Sequence, residues 1–233
     1  MDGLEAVVQA VYDSIGTNGS EAPSALPVAT GPDLALALGY SPGDLERVPQ
    51  GVLAAFVGAA PVAKYVEGPG PVADLGCGAG LDAWLLALRG YRVAALDASA
   101  PMLARLRQGG PPPGLRCIRG RLPRVPLRDG WAGWVLLNGV ANLVPDRPAL
   151  LREIHRILRP GGRVCIGDLV RVAPLPPGLA DLPEAWAWCV AGAASPGGWH
   201  QDLEQAGFRR VRVELLETIH PLARAVVHAS KPG

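Results

Sequence analysis

Pro71-Val72-Ala73-Asp74-Leu75-Gly76-Cys77-Gly78-Ala79-Gly80 is the stretch that decides the fold. It begins as a short apolar segment, which is typical of a buried parallel strand, and continues into three alternating glycines. Leu81 to Leu88 then predicts a helix that ends near Gly90, and Tyr91 to Leu96 predicts a second strand with Asp97 at its end. The order of strand, glycine turn, helix, strand and acid indicates a doubly wound α/β sheet.

This unit also predicts a ligand site. Glycine lets the backbone turn sharply and lets a ligand approach it closely. The start of the following helix offers free N–H groups and a partial positive charge, and an acid at the end of the second strand is placed to accept hydrogen bonds from a ribose diol. The spacing is G-x-G-x-G, with Leu81 where the dinucleotide pattern has Gly or Ala, which disfavours a nicotinamide-dependent reductase.

Composition narrows the class of protein. The 233 residues are 49% hydrophobic, enough for one α/β domain with a sizeable core, and the net charge of +1 gives no basic footprint for nucleic acid. No apolar run is long enough to span a bilayer and the N-terminus does not resemble a signal peptide, so we expect a cytoplasmic protein without a membrane partner. The four cysteines contain no C-x-x-C pair, so neither a disulfide framework nor a metal site is expected. The oligomeric state is not indicated.

The rest of the chain continues the alternation of helices and strands. Residues 2–15 predict an amphipathic helix, residues 16–33 an irregular loop, and Ser41 with Pro42 the start of a further helix. After Asp97, further helices are predicted at Ser99–Leu106, Pro145–Leu158, Glu184–Ala194 and Trp199–Ala206. Further strands are predicted at Leu115–Ile118, 131–137 with Asn138 at its end, Arg163–Asp168, and the antiparallel pair 208–217 and 220–229.

Several motifs then resemble one enzyme family. The G-x-G-x-G loop with Asp74 and Asp97 is similar to that of class I S-adenosylmethionine-dependent methyltransferases, and Leu158–Gly162 resembles their "L-K-P-G-G" turn. Within that family, Asn138–Arg147 resembles the "N-x-V-x-N-L-x-P-D-K" stretch of arsenite methyltransferases. Two more of their segments are matched: "G-Y-S-x-x-D/E-L-x-x-V-P" at Gly39–Pro49 and "W-x-x-C-x-x-G-A" at Trp186–Ala194.

The resemblance implies an architecture. We expect an α/β, Rossmann-like, doubly wound sheet of seven strands in the order 3-2-1-4-5-7-6. Residues 1–60 would form an N-terminal helical lid, or else a helical decoration that only covers the sheet edge. Residues 61–233 would form the cofactor-binding methyltransferase domain, with a substrate-side insertion around residues 174–198.

The resemblance also implies a cofactor, S-adenosyl-L-methionine, with S-adenosylhomocysteine as product. The cofactor-binding residues that it implies are Asp74, Gly76, Gly78, Gly80, Asp97, Ala98, Met102, Leu122 and Asn138. The family often has an acid after the third strand that binds the adenine amino group. Here that place is Gly120-Arg121-Leu122, so the backbone N–H of Leu122 is the expected substitute. A tight turn, a helix cap and simple core packing are the alternative roles for the glycines, Asp97 and Met102.

Four residues are candidates for the reaction centre. Asn138 and Asn142 lie where the fourth strand would end at the acceptor, although a strand-end Asn also caps helices. Tyr12 matches a lid tyrosine of the family, or is a packed aromatic. Cys189 matches one family cysteine, or is a buried apolar thiol.

The methyl acceptor is expected to be a small molecule. A soft nucleophile such as a thiol, arsenic or selenium needs no strong base, and the sequence offers no convincing one. Trivalent arsenic is held by two or three thiolates, yet only Cys189 matches a family cysteine: Gly58 stands where another is expected, and the cysteine pair near Glu21–Pro23 is absent. Cys77, Cys117 and Cys165 are predicted to be core thiols. A binding protein of the same fold without methyl transfer is the alternative.

Overall fold

The computed structural model describes residues 3–19 and 29–233, and within them seven strands form one sheet. The strand order is β3-β2-β1-β4-β5-β7-β6, as predicted. Strands β1 to β5 are parallel to their neighbours in that set, and β7 is antiparallel to both β5 and β6. The strands are β1 Val72–Leu75, β2 Val93–Asp97, β3 Leu115–Arg119, β4 Ala132–Asn138, β5 Leu158–Arg171, β6 Arg209–Ile219 and β7 Leu222–Ser230.

Helices cover both faces of this sheet. The α-helices are α1 Gly3–Asn18, α2 Gly31–Ala37, α3 Pro42–Leu45, α4 Gln50–Leu53, α5 Leu81–Leu88, α6 Ala100–Gln108, α7 Arg147–Ile157, α8 Pro183–Ala187 and α9 Pro196–Gln205. Several begin as the sequence predicts: the Ser99 hydroxyl accepts a hydrogen bond from the Met102 N–H (3.3 Å), and the Ser41 hydroxyl accepts one from the Asp44 N–H (3.0 Å). No helix in the described ranges is long and apolar enough to cross a membrane.

The core consists of two layers, one on each face of the sheet. Side chains alternate along β4, so Trp134 and Leu136 pack with α5 and α6, whereas Val135 and Leu137 pack with α7 and α9. All four are buried, which explains why the sequence of this strand is a continuous apolar run.

The N-terminal part is built into the first of these layers. Leu34, Val52 and Val62 are buried in the same cluster as α5 and α6, whereas α1 contributes Ile15 to it. The predicted 1–60 lid and the predicted 16–33 loop include residues that lie outside the described ones, namely 1, 2 and 20–28. Within the described residues the loop prediction is wrong at both ends, because α1 continues to Asn18 and α2 begins at Gly31.

Two further local predictions are corrected. The helix predicted over Glu184–Ala194 ends at Ala187, because Cys189 takes a left-handed conformation (φ 63°) and the N–H groups of Val190 and Ala191 both turn back to the Ala185 carbonyl. The turn at Arg159–Gly162 does not precede the fifth strand but lies within it, since β5 already pairs with β4 at Leu158 and shifts register afterwards.

A buried carboxylate joins the N-terminal part to the sheet. Asp82, in the first turn of α5, is 4% exposed. It accepts hydrogen bonds from the Tyr40 hydroxyl (2.9 Å) and the Ala63 N–H (3.1 Å). Because a buried charge is tolerated only when it is hydrogen-bonded, these donors stabilise the packing of residues 40–63 against α5.

We expect Tyr40→Phe to lower the free energy of unfolding by about 1–3 kcal/mol, because it removes a donor from the buried Asp82 carboxylate. Urea denaturation followed by circular dichroism measures this. Tyr91→Phe is the matched control, since the Tyr91 hydroxyl has no hydrogen-bond partner among the described residues. Equal stability of the two variants would contradict the role given to Tyr40.

Candidate active site

An open cleft lies at the carboxyl ends of β1, β2 and β4. Parallel strands end at the same edge of the sheet, so the residues that follow them converge there. Ten of the twelve predicted site residues line this cleft: Tyr12, Asp74, Gly76, Gly78, Gly80, Asp97, Ala98, Met102, Leu122 and Asn138. Asn142 and Cys189 do not line it.

The glycine loop forms the floor of the cleft. The N–H groups of Gly76 and Cys77 both donate to the Leu96 carbonyl (2.7 and 3.0 Å), so the loop crosses the end of β2. A Cβ atom on Gly76 (φ +70°) would lie 2.5 Å from Val140 Cγ2, which excludes any side chain there. A Cβ on Gly78 would meet nothing closer than Met102 Sδ at 3.9 Å, so the space above Gly78 is open to a ligand.

Asp97 closes one side of the loop. Its carboxylate accepts hydrogen bonds from the Gly78 N–H (2.7 Å) and the Ser99 N–H (2.8 Å). Burial raises the pKa of Asp97, and these backbone donors oppose that shift. Asp97 therefore combines a capping role with a place in the lining of the cleft.

Asp74 lies deeper, at 2% exposure. Burial, followed by the negative charges of Asp82 and Asp97, raises its pKa well above the usual value, and a hydrogen bond from the Ala83 backbone opposes that shift. Three carboxylates are thus close together in the interior of one cleft.

Asn138 is held by hydrogen bonds on both sides of its amide. Its Oδ1 accepts from the Ala59 N–H (2.7 Å), and its Nδ2 donates to the Ala60 carbonyl (2.7 Å) and to Asp82 (2.9 Å). The amide therefore fixes residues 59–60 against the end of β4. A Cβ on Gly58 would lie 2.9 Å from both amide atoms of Asn138, so the clamp leaves no room for a side chain at position 58.

Helix α1 forms the upper wall of the cleft. Glu5, Val8, Gln9 and Tyr12 line it at helical spacing. Ser99 Oγ donates to Asp13 (2.6 Å), and the Arg105 guanidinium donates to the carbonyls of the last turn of α1. Since Ser99 N–H also holds Asp97, one short chain of hydrogen bonds connects α1 to the β2 acid. Sequence reasoning assigned only Tyr12 in this helix to the site.

A second polar cluster lies behind the cleft wall. Asn142 is fully buried and donates from its N–H and from Nδ2 to the Asp168 carboxylate (3.0 and 2.9 Å). The sequence analysis did not assign Asp168 to the site. Burial, followed by the negative charge of Asp168, raises the pKa of the neighbouring Cys189 thiol well above its usual value. Asp168 follows Gly167, the residue of β5 that pairs with Asn138, so the end of the predicted fifth strand was the feature that could have indicated it. Cys189 touches the cleft wall through Gly139, whose carbonyl lies 3.3 Å from Sγ.

The other thiols are separate from this cluster. Cys77 lines the cleft from within the glycine loop, Cys117 is half-buried on β3, and Cys165 is fully buried on β5. Burial raises the pKa of each of them. Within the described ranges, no three His, Cys, Asp or Glu side chains are grouped so as to hold a metal ion.

Comparisons with known proteins agree with this geometry. Residues 73–166 match the family model "Methyltransferase domain". The chain has a class I S-adenosylmethionine-dependent methyltransferase domain. The match spans the strand–glycine turn–helix–strand unit and continues to β5, and so includes Asp74, the glycine loop, Asp97 and Asn138.

Curated relatives point to a subgroup of this class. The chain is 32% identical over 183 residues to the arsenite methyltransferase of Halobacterium salinarum, which covers 76% of this chain and 47% of the relative. It is 31% identical over 162 residues to that of Aquipseudomonas alcaligenes, covering 64% and 47%. The chain thus spans about half the length of these curated relatives.

A solved structure shows the same fold. The arsenic(III) S-adenosylmethionine methyltransferase of Chlamydomonas reinhardtii superposes with a TM-score of 0.63 at 23% identity, covering 88% of this chain and 75% of that one. The cleft that corresponds to this domain has an accessible backbone at Gly78, the Asp97 carboxylate at the end of β2, and Ala98, Met102 and Leu122 among its lining residues.

The contribution of Asp168 to the free energy of unfolding depends on pH. Burial raises the pKa of Asp168 from 3.8 to about 6, so its ionised form is disfavoured in the folded state. Its contribution to stability is present below pH 4 and is lost as the pH rises towards 6. We expect the free energy of unfolding of the wild type, minus that of Asp168→Asn, to fall by about 2 kcal/mol between pH 4 and pH 6. Denaturant titrations at several pH values measure it. A difference that stays constant or grows with pH would contradict this assignment.

Proposed function

We propose that this protein transfers the methyl group of S-adenosyl-L-methionine to a small-molecule acceptor. The observation that carries the proposal is the convergence of the open Gly78 backbone, the Asp97 carboxylate and the Met102 side chain on one cleft. The cofactor supplies a methyl group activated by a sulfonium; the lone pair of the acceptor forms the new bond, the S–CH3 electron pair stays on sulfur, and the sulfonium charge is lost.

The residues of the chain bind the cofactor, align the acceptor and exclude water. Asp97 holds the ribose, and the Gly76–Gly80 loop passes under the methionine part. Val140 and Leu143, which follow β4, form the wall opposite α1 and direct the acceptor towards the loop. Alignment of this kind contributes about 7–11 kcal/mol to a transfer reaction. Helix α1 acts as the lid, since its polar contacts to Ser99 and Arg105 hold it across the cleft.

The acceptor that we propose is a soft nucleophile, such as a thiol, arsenic or selenium centre. Among the described residues, no histidine lines the cleft, and Asp82 and Asp97 are already engaged by hydrogen-bond donors. Asp74 also lines the cleft, but it is only 2% exposed and accepts a hydrogen bond from the Ala83 backbone. A soft lone pair reacts without a base, whereas an oxygen acceptor usually requires one. Trivalent arsenic would bring its own thiol ligands, because the chain has Gly58 rather than a thiol beside Asn138.

We expect Asp97→Ala to weaken S-adenosylmethionine binding by about 10- to 100-fold, because it removes a charged hydrogen-bond acceptor from the ribose and frees the Gly78 N–H. Isothermal titration calorimetry measures the affinity. Asp129→Asn, a change at an exposed carboxylate remote from the cleft, serves as the control. An affinity of Asp97→Ala equal to that of the wild type would remove Asp97 from the site.

The reaction is tested by S-adenosylhomocysteine release, followed by mass spectrometry, with arsenite, selenite and glutathione present singly and together. We expect release that depends on an added soft acceptor. S-adenosylmethionine binding without release in any mixture would contradict a soft acceptor, and absence of binding would contradict the proposal as a whole.

A further inference from the structure

Strand β6 forms one edge of the sheet and is both long and exposed. It has 11 residues, of which nine are exposed, and among the described residues only β7 pairs with it. Its sequence contains neither lysine nor proline, which often block further pairing along an edge strand. Of the six large hydrophobic side chains that are exposed in the described ranges, three lie on this strand: Leu215, Leu216 and Ile219. The outer edge of β6 is therefore able to accept a further strand.

The charged side chains that pair with β7 lie on one face of β6 in a definite order. In chain order they are Arg209, Arg212, Glu214 and Glu217. Their partners on β7 are Ser230, His228, Val226 and Arg224, which alternate with the residues that face the layer next to α7 and α9. Burial lowers the pKa of His228, Glu214 raises it and Arg212 lowers it further, so both central charges act on the side that His228 occupies. Two positive charges are thus followed by two negative charges along the same face.

The opposite face of β6 is apolar. Val213 and Leu215 pair with Val227 and Ala225, which are buried in the layer next to α7 and α9. Val211 packs against the same layer. Leu215 is nevertheless 48% exposed, because β6 is the last strand of the described sheet on this side. An apolar side chain from an adjacent strand would find a partner there.

We propose that β6 pairs with β6 of a second copy of this chain in the antiparallel direction, with a two-fold axis at Val213, so that two seven-stranded sheets form one continuous sheet. In this register Arg212 of each copy lies opposite Glu214 of the other, and Arg209 lies opposite Glu217. Opposite charges at directly opposed positions stabilise an antiparallel pair. A parallel arrangement in register would instead place like charges opposite one another, and it would not give the closed two-fold symmetry of most dimers.

The apolar face agrees with the same register. Val211 of each copy lies opposite Leu215 of the other, and the two Val213 side chains meet at the axis. The exposed part of Leu215 is then covered by a valine that already packs on the layer next to α7 and α9. Both faces of β6 are therefore self-complementary about one residue.

The irregularities of β6 are placed symmetrically about that residue. The pairing of β6 with β7 shifts register twice, and each shift leaves one extra residue in β6. The extra residues are Arg210, whose φ is 55°, and Leu216. Each lies three positions from Val213 along the chain, so the bulge of one copy lies opposite the bulge of the other. The local bends of the two strands then coincide.

The proposed interface leaves both clefts open. In the sheet, β5 and β7 separate β6 from β4, whereas the cleft lies at the ends of β1, β2 and β4. The inference does not depend on the proposed function, and we expect monomeric variants to bind S-adenosylmethionine as the wild type does.

The association is measured by sedimentation velocity of the full chain at concentrations between about 1 and 100 μM. We expect the wild type to form a species of twice the mass of the chain. Because the opposed charges lie at a solvent-exposed edge, raising the salt concentration from about 0.05 to 0.5 M should increase the dissociation constant.

Charge reversal tests the register. Arg212→Glu and Glu214→Arg should each raise the dissociation constant by at least about tenfold, because each places like charges opposite one another. The double variant, and an equimolar mixture of the two single variants, should form dimers again, since every opposed pair then has opposite signs. Arg116→Glu makes the same change at an exposed arginine of β3, on the other edge of the sheet, and should leave the dimer unchanged.

The results that would overturn the proposal are specific to this arrangement. They are a wild type that stays monomeric up to about 100 μM, single variants that dimerise as well as the wild type, and a double variant and mixture that stay monomeric. Circular dichroism shows whether each variant is folded. If a reversed variant does not fold, the salt dependence of the wild type decides, and a dimer that salt leaves unchanged or strengthens would overturn the pairing of charges.

Discussion

The side-chain amide of Asn138 joins three parts of the chain that are distant in sequence. Its oxygen is held by the N–H of Ala59, and its nitrogen reaches the Ala60 carbonyl and the Asp82 carboxylate. Since an amide away from water must have both ends satisfied, the end of β4, the start of α5 and the segment before β1 have little freedom to move independently. The cleft has a defined shape because this one group determines where its walls begin.

The glycine site could be predicted from the sequence because the residues that form it are close together along the chain. A strand, a turn with glycines, a helix and a following acid are contiguous, so residue types and spacing carry the information, and the sheet brings Asp74, Gly78 and Asp97 to the same edge. Asp168 was missed because its role depends on the pairing of β5 with β4 and on the return of residues 189–192. Cys189 illustrates the same limit: the sequence favoured a helix there, whereas the chain takes a left-handed conformation that places the thiol against Asp168 and Gly139.

For Asn142, the sequence predicted its position near the end of β4 but not the environment of its side chain. It follows β4, as a residue near the reaction centre would, yet its side chain points away from the cleft into the buried cluster. There it donates to Asp168 and to the Leu169 carbonyl, while Arg147 approaches its oxygen at 3.4 Å. Periodicity predicts on which element a residue lies, but not which of two polar environments on either side of a strand end it enters. That choice depends on which partners the rest of the fold supplies.

The same competition for space bears on the resemblance to arsenite methyltransferases, which predicts a cysteine where this chain has Gly58. A side chain at position 58 would occupy the volume that Asn138 and Phe56 already fill, with contacts of 2.9 and 2.7 Å from its Cβ atom. A cysteine there and the amide clamp on residues 59–60 are therefore mutually exclusive in this arrangement. The chain has the clamp and one thiol of the resemblance, Cys189, which lies beside the buried Asp168 carboxylate. The amide of Asn138 and the carboxylate of Asp82 are thus already occupied in holding the walls of the cleft together.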